Sequence, residues 1–264
     1  MKAMNLPEKY DFDRFIGVDY SGAGTASSLQ KGIAVYMASP TGQPIKIQAP
    51  PTARRSRNWS RLALFDWLNE QLQSEHRLAI GIDHAFSFPI SYYDEYQLES
   101  WPEFLKDFVL HWPTDSADST VQQFREGNAR TGDAKAMRLT DCWTAGPKSV
   151  FQFDVQGSVA KSTHAGLPLL FRLREAFPKS LQVWPFDGWE PKPNHSVIFE
   201  VFPSLFRNRY PREDRSVDQQ DAYAVCRWLK EMQRRKRLAD YFQPPLDQAA
   251  RRMAQREGWI FGVL

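Results

Sequence analysis

Two stretches of the chain run apolar and then stop on an acid. Residues 78–83, LAIGID, alternate nothing and close on Asp83; residues 15–21, FIGVDYS, carry Asp19 in nearly the same four letters. A continuous apolar run of this length reads as a buried strand. The turn GAGTASS follows the first, and the apolar run GIAVYMA at 32–38 is predicted to fold back on it as a hairpin. After PTGQP, residues 45–50 (IKIQAP) alternate like a half-exposed strand. Apolar positions then change to helical spacing over 58–74, with Trp59, Leu62, Phe65, Leu68 and Leu72.

That order constrains topology. A helix joining two strands of one sheet returns the chain parallel to its starting strand. The strands at 15–21 and 78–83 are therefore expected side by side, with Asp19 and Asp83 at the same end. Ligands of open α/β sheets bind outside the carboxyl ends of the strands. Gly17 and Gly81, each two residues before its aspartate, share the aspartate's face and clear room for a close neighbour there.

Further along, residues 91–150 read as an insertion, a mainly helical cap with helices near 101–110 and 118–126. A strand is expected at 149–155 (SVFQFDV), a helix at 159–177, a short strand at 181–186 and a strong strand at 196–203 (SVIFEVFP). Val197, Phe199 and Val201 share one face of that last strand, and Ile198, Glu200 and Phe202 the other. The last long helix begins near Ser216, where Ser216 and Gln219 have the spacing of a capping box. Asp218 and Asp221 fall on one face of that helix, in line with Val225 and Trp228.

Composition narrows the class without naming a partner. The chain has 264 residues, 42% hydrophobic and 14% aromatic, and a net charge of +3. This is the make-up of a globular chain. The small positive balance permits nucleic acid without requiring it. Basic residues cluster at Arg54, Arg55 and Arg57, at Arg207, Arg209, Arg212 and Arg215, and at Arg234 to Arg237. Cys142 and Cys226 are far apart and have no metal spacing. No signal peptide and no membrane-length apolar run is read, so a cytoplasmic protein is expected.

Five acids therefore come from distant segments: Asp19, Asp83, Glu200, Asp218 and Asp221. Gathered carboxylates repel and resist burial, and a divalent cation removes that penalty. Hard oxygen ligands suit Mg²⁺ or Mn²⁺, and a two-ion site would serve phosphodiester hydrolysis.

The segments FIGVDYSGA, GIDHAFSFP, FEVFPS and DQQDAYAVCRWL, with the C-terminal EGWIFGV, resemble the ribonuclease H-like superfamily and, within it, domain-of-unknown-function family 429, whose members are described as predicted nucleases. The resemblance implies an α/β fold: a mixed five-stranded sheet, three antiparallel strands then parallel ones, flanked by helices. One domain over 1–264 with the 91–150 insertion follows from it. It also implies roles. Asp19 would bridge two Mg²⁺ or Mn²⁺ ions, Asp83 would ligate one, and Asp218 or Asp221 would complete the other, with Glu200 an accompanying acid. The expected function is metal-dependent cleavage of DNA or RNA. A phosphotransferase of the actin and sugar-kinase type, with DYSGAGT as a phosphate cradle, is one alternative; a binding module on the same fold is another. Candidate substrate contacts are Ser21 in that cradle, Lys161 at a helix start, and His84, which could shuttle protons or simply pack at the strand end. GSVAKST at 157–163 lacks the glycine spacing of a phosphate loop.

Overall fold

The computed structural model describes residues 9–51 and 57–264; the basic pair Arg54 and Arg55 lies outside them. Strands β1 (Arg14–Asp19), β2 (Ala34–Ala38) and β3 (Ile45–Lys46) form an antiparallel meander. Helix α1 (Arg61–Leu72) crosses over to β4 (Leu78–Asp83), which pairs parallel with β1. Ser60 caps α1 by accepting from the Ala63 nitrogen, fixing where the crossover turns helical. Helices α2 (Ile90–Glu95), α3 (Trp101–His111), α4 (Val121–Arg125) and α5 (Leu139–Trp143) follow, then α6 (Ala160–Ala176). Strands β5 (Leu181–Val183) and β6 (Ser196–Glu200), the long helix α7 (Val217–Arg234), and the short helices α8 (Leu238–Phe242) and α9 (Gln248–Glu257) complete the chain.

The sheet is mixed and has six strands in the order β3-β2-β1-β4-β6-β5, one more than the five expected. Strand β5, within the short strand expected at 181–186, pairs parallel with β6 at the edge. The strand expected at 149–155 does not form. Phe151 and Phe153 turn instead toward His164 of α6, whose imidazole is ringed by Phe88, Phe108, Trp112, Phe151 and Phe153 at centroid distances of 4.4–6.2 Å. Packing into that aromatic cluster outweighs the strand pattern of the segment.

Side-chain alternation sorts the strands between two cores. Ile16, Val18, Ile80, Ile82 and Ile198 face α1, α6 and the 91–150 helices; Phe15, Ala79, Val197, Phe199 and Val201 face α7, α8 and α9. The 91–150 segment is part of the first core, since Tyr92, Tyr93, Trp101, Phe104, Leu105 and Phe108 are buried in it. Among the described residues no helix is long and apolar enough to cross a membrane.

The glycines decide how near α7 comes. A Cβ on Gly17 would stand 2.2 Å from the Ala222 carbonyl oxygen and 2.8 Å from the Cys226 nitrogen. One on Gly81 would meet the side chains of Val225 and Val201 at 2.8 and 2.9 Å. Gly17 is thus where the α7 backbone lies on the sheet, and Gly81 leaves room for Val225 of α7; that closeness carries the first turn of α7 to the strand ends. Ser216 and Gln219 form the capping box that starts the helix there.

Candidate active site

The β1–β4 register sets Asp19 directly beside Asp83, as it sets Gly17 beside Gly81. Both carboxylates fall on the α7 face, and Asp221 and Asp218 approach them from that helix. Asp19 is buried, at 9% exposure. Burial pushes its carboxyl well above the ordinary range, and the neighbouring charges of Asp83, Asp221 and Asp218 push it further; a hydrogen bond joins it to Asp83. Asp83 is raised from 3.8 to about 7, by burial first and by the charge of Asp221 next. No guanidinium or ammonium bonds either carboxylate among the described residues. One proton shared by the two strand ends at neutral pH is the consequence.

Asp221 is differently placed. The Arg207 guanidinium grips both of its oxygens, Nε on one and Nη2 on the other. Asp218, half-buried in the first turn of α7, acts on Asp19 and Asp221 through its charge. Among the described residues no three carboxylate, imidazole or thiol groups are placed to hold one ion together.

Glu200 lines the same cleft as Asp83 and acts on it through its charge, but it is held apart from the other acids. Its register partner on β4 is Ile82, not Asp83, so its side chain leaves the sheet on the opposite face. There Arg138 meets it with two hydrogen bonds, Nη1 to Oε2 at 2.7 Å and Nη2 to Oε1 at 2.6 Å. The same guanidinium bonds Asp141 through Nε and Nη2 at 3.0 and 2.8 Å, and the Phe86 nitrogen donates to Glu200 at 3.2 Å. With its carboxylate thus saturated, Glu200 anchors the insertion to the sheet. The C-terminal segment closes over it, the Phe261 nitrogen donating to the Glu200 carbonyl.

Of the remaining candidates, His84 lines the cleft beside Asp83, while Lys161 and Ser21 do not. His84 is buried between Tyr20 and Phe86, its ring against Gly166, with Nδ1 on the Ala85 carbonyl. Burial lowers it to about 4, so it is neutral at pH 7 and serves the strand-end packing. Lys161 is exposed and lines a separate depression with Phe153 to Ser158. Ser21 turns back on its own loop, accepting from the Ala23 nitrogen at 3.3 Å. That loop is not an open phosphate cradle. A Cβ on Gly22 would lie 2.0 Å from the Lys161 carbonyl oxygen, and the loop carbonyls of Ala23 and Gly24 accept from buried Arg61.

A cleft of about 470 Å³ opens over Asp83. Lys148, Ser158, Ser162, Phe202 and Arg207 line it together with Arg138 and Glu200. Asp19 lies behind Asp83 and outside the cleft wall. Sequence reasoning overlooked Arg138, Arg61 and Lys148, and it took Arg207 only as part of a basic run. Local spacing offers Arg138 only Asp141, three residues on; its other partner, Glu200, is 62 residues away.

No family model, no curated protein and no solved structure matches this chain.

Proposed function

We propose that this chain is a divalent-metal-dependent phosphodiester hydrolase of ribonuclease H-like type, acting on DNA or RNA at the ends of β1 and β4. One observation supports the reading above all: two register-matched carboxylates, Asp19 and Asp83, are held together at a cleft and, among the described residues, no cationic side chain hydrogen-bonds to either. An arrangement that forces a proton onto one of two adjacent acids is relieved by a cation, and hard carboxylate oxygens suit Mg²⁺ or Mn²⁺. Asp19 and Asp83 fit such an ion, and Asp221 and Asp218 stand next to them. When bound, it would supply Lewis acidity toward a phosphate oxygen and a more acidic water.

The chain's own groups have distinct tasks. Asp83 faces the cleft and orients the reacting end of the substrate; Asp19 fixes Asp83 from behind. Lys148 and Arg207, on the cleft wall, supply positive charge for phosphates. Ser158 and the first turn of α6 add hydroxyl and backbone donors. The filled loop at Gly22 argues against the phosphotransferase alternative. Two free cysteines, one exposed and one buried, fit a reducing cytoplasm.

The test is cleavage of single- and double-stranded DNA, RNA and branched DNA by the purified protein in Mg²⁺ or Mn²⁺. Metal-dependent cutting that Asp83→Asn removes while circular dichroism is unchanged is the expected result. An absence of cutting on every substrate with both metals overturns the proposal.

A further inference from the structure

We propose that Arg207 is a built-in cation holding the place of a second metal ion, and that it must release Asp221 before that ion binds. The inference rests on the metal reading above and concerns its regulation.

Three features lead to it. First, Arg207 meets Asp221 fork to fork, one donor on each oxygen, and so occupies the edge of the carboxylate that would chelate an ion. Its charge also acts on Asp83 and Asp19. A guanidinium stays charged at any ordinary pH, so the contact yields only by displacement. Second, the two partners differ in exposure. The Asp221 side chain is 6% exposed on a rigid helix; that of Arg207 is 39% exposed, on the turn Arg207–Arg209 between β6 and α7. Arg207 can therefore leave without opening the core. Third, it has somewhere to go. Arg207 is the wall shared by the cleft over Asp83 and a second one of about 400 Å³ lined by Asn208, Tyr210, Arg212, Val217 and Gln220. Released from Asp221, it faces space where a phosphate of the substrate would lie.

The charges agree. Two divalent ions neutralise Asp19, Asp83, Asp218 and Asp221, which makes Arg207 redundant at Asp221. One ion leaves the cluster negative, and Arg207 stays. The first ion thus needs only Asp19 and Asp83, and the second competes with Arg207.

The experiment is Mn²⁺ binding to the full chain at pH 8, by titration calorimetry and by counting free Mn²⁺ in its electron paramagnetic resonance signal. Wild type is expected to bind one ion tightly and a second weakly. Arg207→Met is expected to tighten the second about tenfold or more while leaving the first near its wild-type value. Arg207→Gln, whose amide still donates to Asp221, keeps the local fold and tests the charge alone. Asp221→Asn is expected to lose the second ion and keep the first. Opposite effects from the two halves of one ion pair are not what a purely structural contact gives. If both Arg207 variants bind Mn²⁺ with wild-type stoichiometry and affinity, or bind the second ion more weakly, the inference is wrong and the metal reading survives. If wild type and variants bind no Mn²⁺, both fall.

Discussion

Neutralising Asp83 should make the metal-free protein more stable at alkaline pH while removing its activity. Asp83 is raised from 3.8 to about 7 because burial and Asp221 disfavour its charge. A folded-state pKa above the unfolded one favours the folded state below pH 3.8, and that advantage is lost as pH rises through 7. The full difference corresponds to about 4 kcal/mol above pH 7. Asp83 is partly open to the cleft, so solvent screening brings the expectation to about 2–4 kcal/mol. Asp83→Asn keeps the shape and can still pair with Asp19, so at pH 8 it should gain that amount, roughly 5–15 °C in Tm for a chain of this size.

The assay is urea unfolding of wild type and Asp83→Asn in chelator, from pH 4 to pH 8. His84 and His164 are lowered by burial to about 4 and about 3, and they work in the opposite direction over the acid range. Both proteins contain them, so the difference between the two curves isolates Asp83. It should be near zero at pH 4 and largest at pH 8. Mn²⁺ at about 100 times its dissociation constant should return about 2.7 kcal/mol to wild type and nothing to the variant. A difference that does not grow with pH, or an asparagine variant less stable at pH 8, would refute the reasoning.

Other outcomes follow from neighbouring contacts. Arg138→Met leaves Glu200 and Asp141 buried without their cation and should cost about 3–5 kcal/mol in urea unfolding. Glu200→Gln, which leaves Arg138 its Asp141 contact, should cost less and leave Mn²⁺ binding in place. Gly17→Ala drives a methyl into the α7 backbone and should destabilise by about 1–3 kcal/mol; by lifting Asp221 away from Asp19 it should also lower single-turnover cleavage. His164, neutral in its aromatic cluster, gives stability that is present above pH 6.5 and lost on acidification. Its share between pH 6.5 and 4 is about 3 kcal/mol, and His164→Phe should flatten the acid limb by that amount in the same unfolding series.

The strand ends were legible from the chain because two local rules agreed. The repeated IG[VI]D placed each acid two residues after a glycine, and the crossover rule made the strands parallel neighbours. Register then followed, and so did the approach of α7 to the glycines. The Ser216–Gln219 cap was equally local. That Glu200 leaves the sheet on the face opposite Asp83, though both line one cleft, could not be read from a single strand, because it depends on the offset between β4 and β6. The segment 149–155 alternates like a strand, yet its phenylalanines answer to His164. Arg207 was visible as part of a basic run, but spacing could not show that it bonds an acid of the D-x-x-D helix.

Placement also explains why the four acids should not respond alike to neutralisation. Gly17 lets α7 lie on β1 and β2, with Val225 reaching Gly81 of β4, and this closeness both gathers the carboxylates and makes them repel. Asp19 and Asp83 bear the repulsion without a cation, so an amide at either should raise metal-free stability and weaken the first ion. Asp221 has Arg207, yet burial still holds its carboxyl above the ordinary range, so Asp221→Asn trades relief of that charge against the lost partner of Arg207 and should change stability at pH 8 less than an amide at 19 or 83, while sparing the first ion. A site whose acids were merely surface charges would show one small effect of one sign at every position. A clear gain of stability at residues 19 and 83 and a smaller change at 221, in the same protein and buffer, is the pattern that a partly compensated carboxylate beside two uncompensated ones imposes.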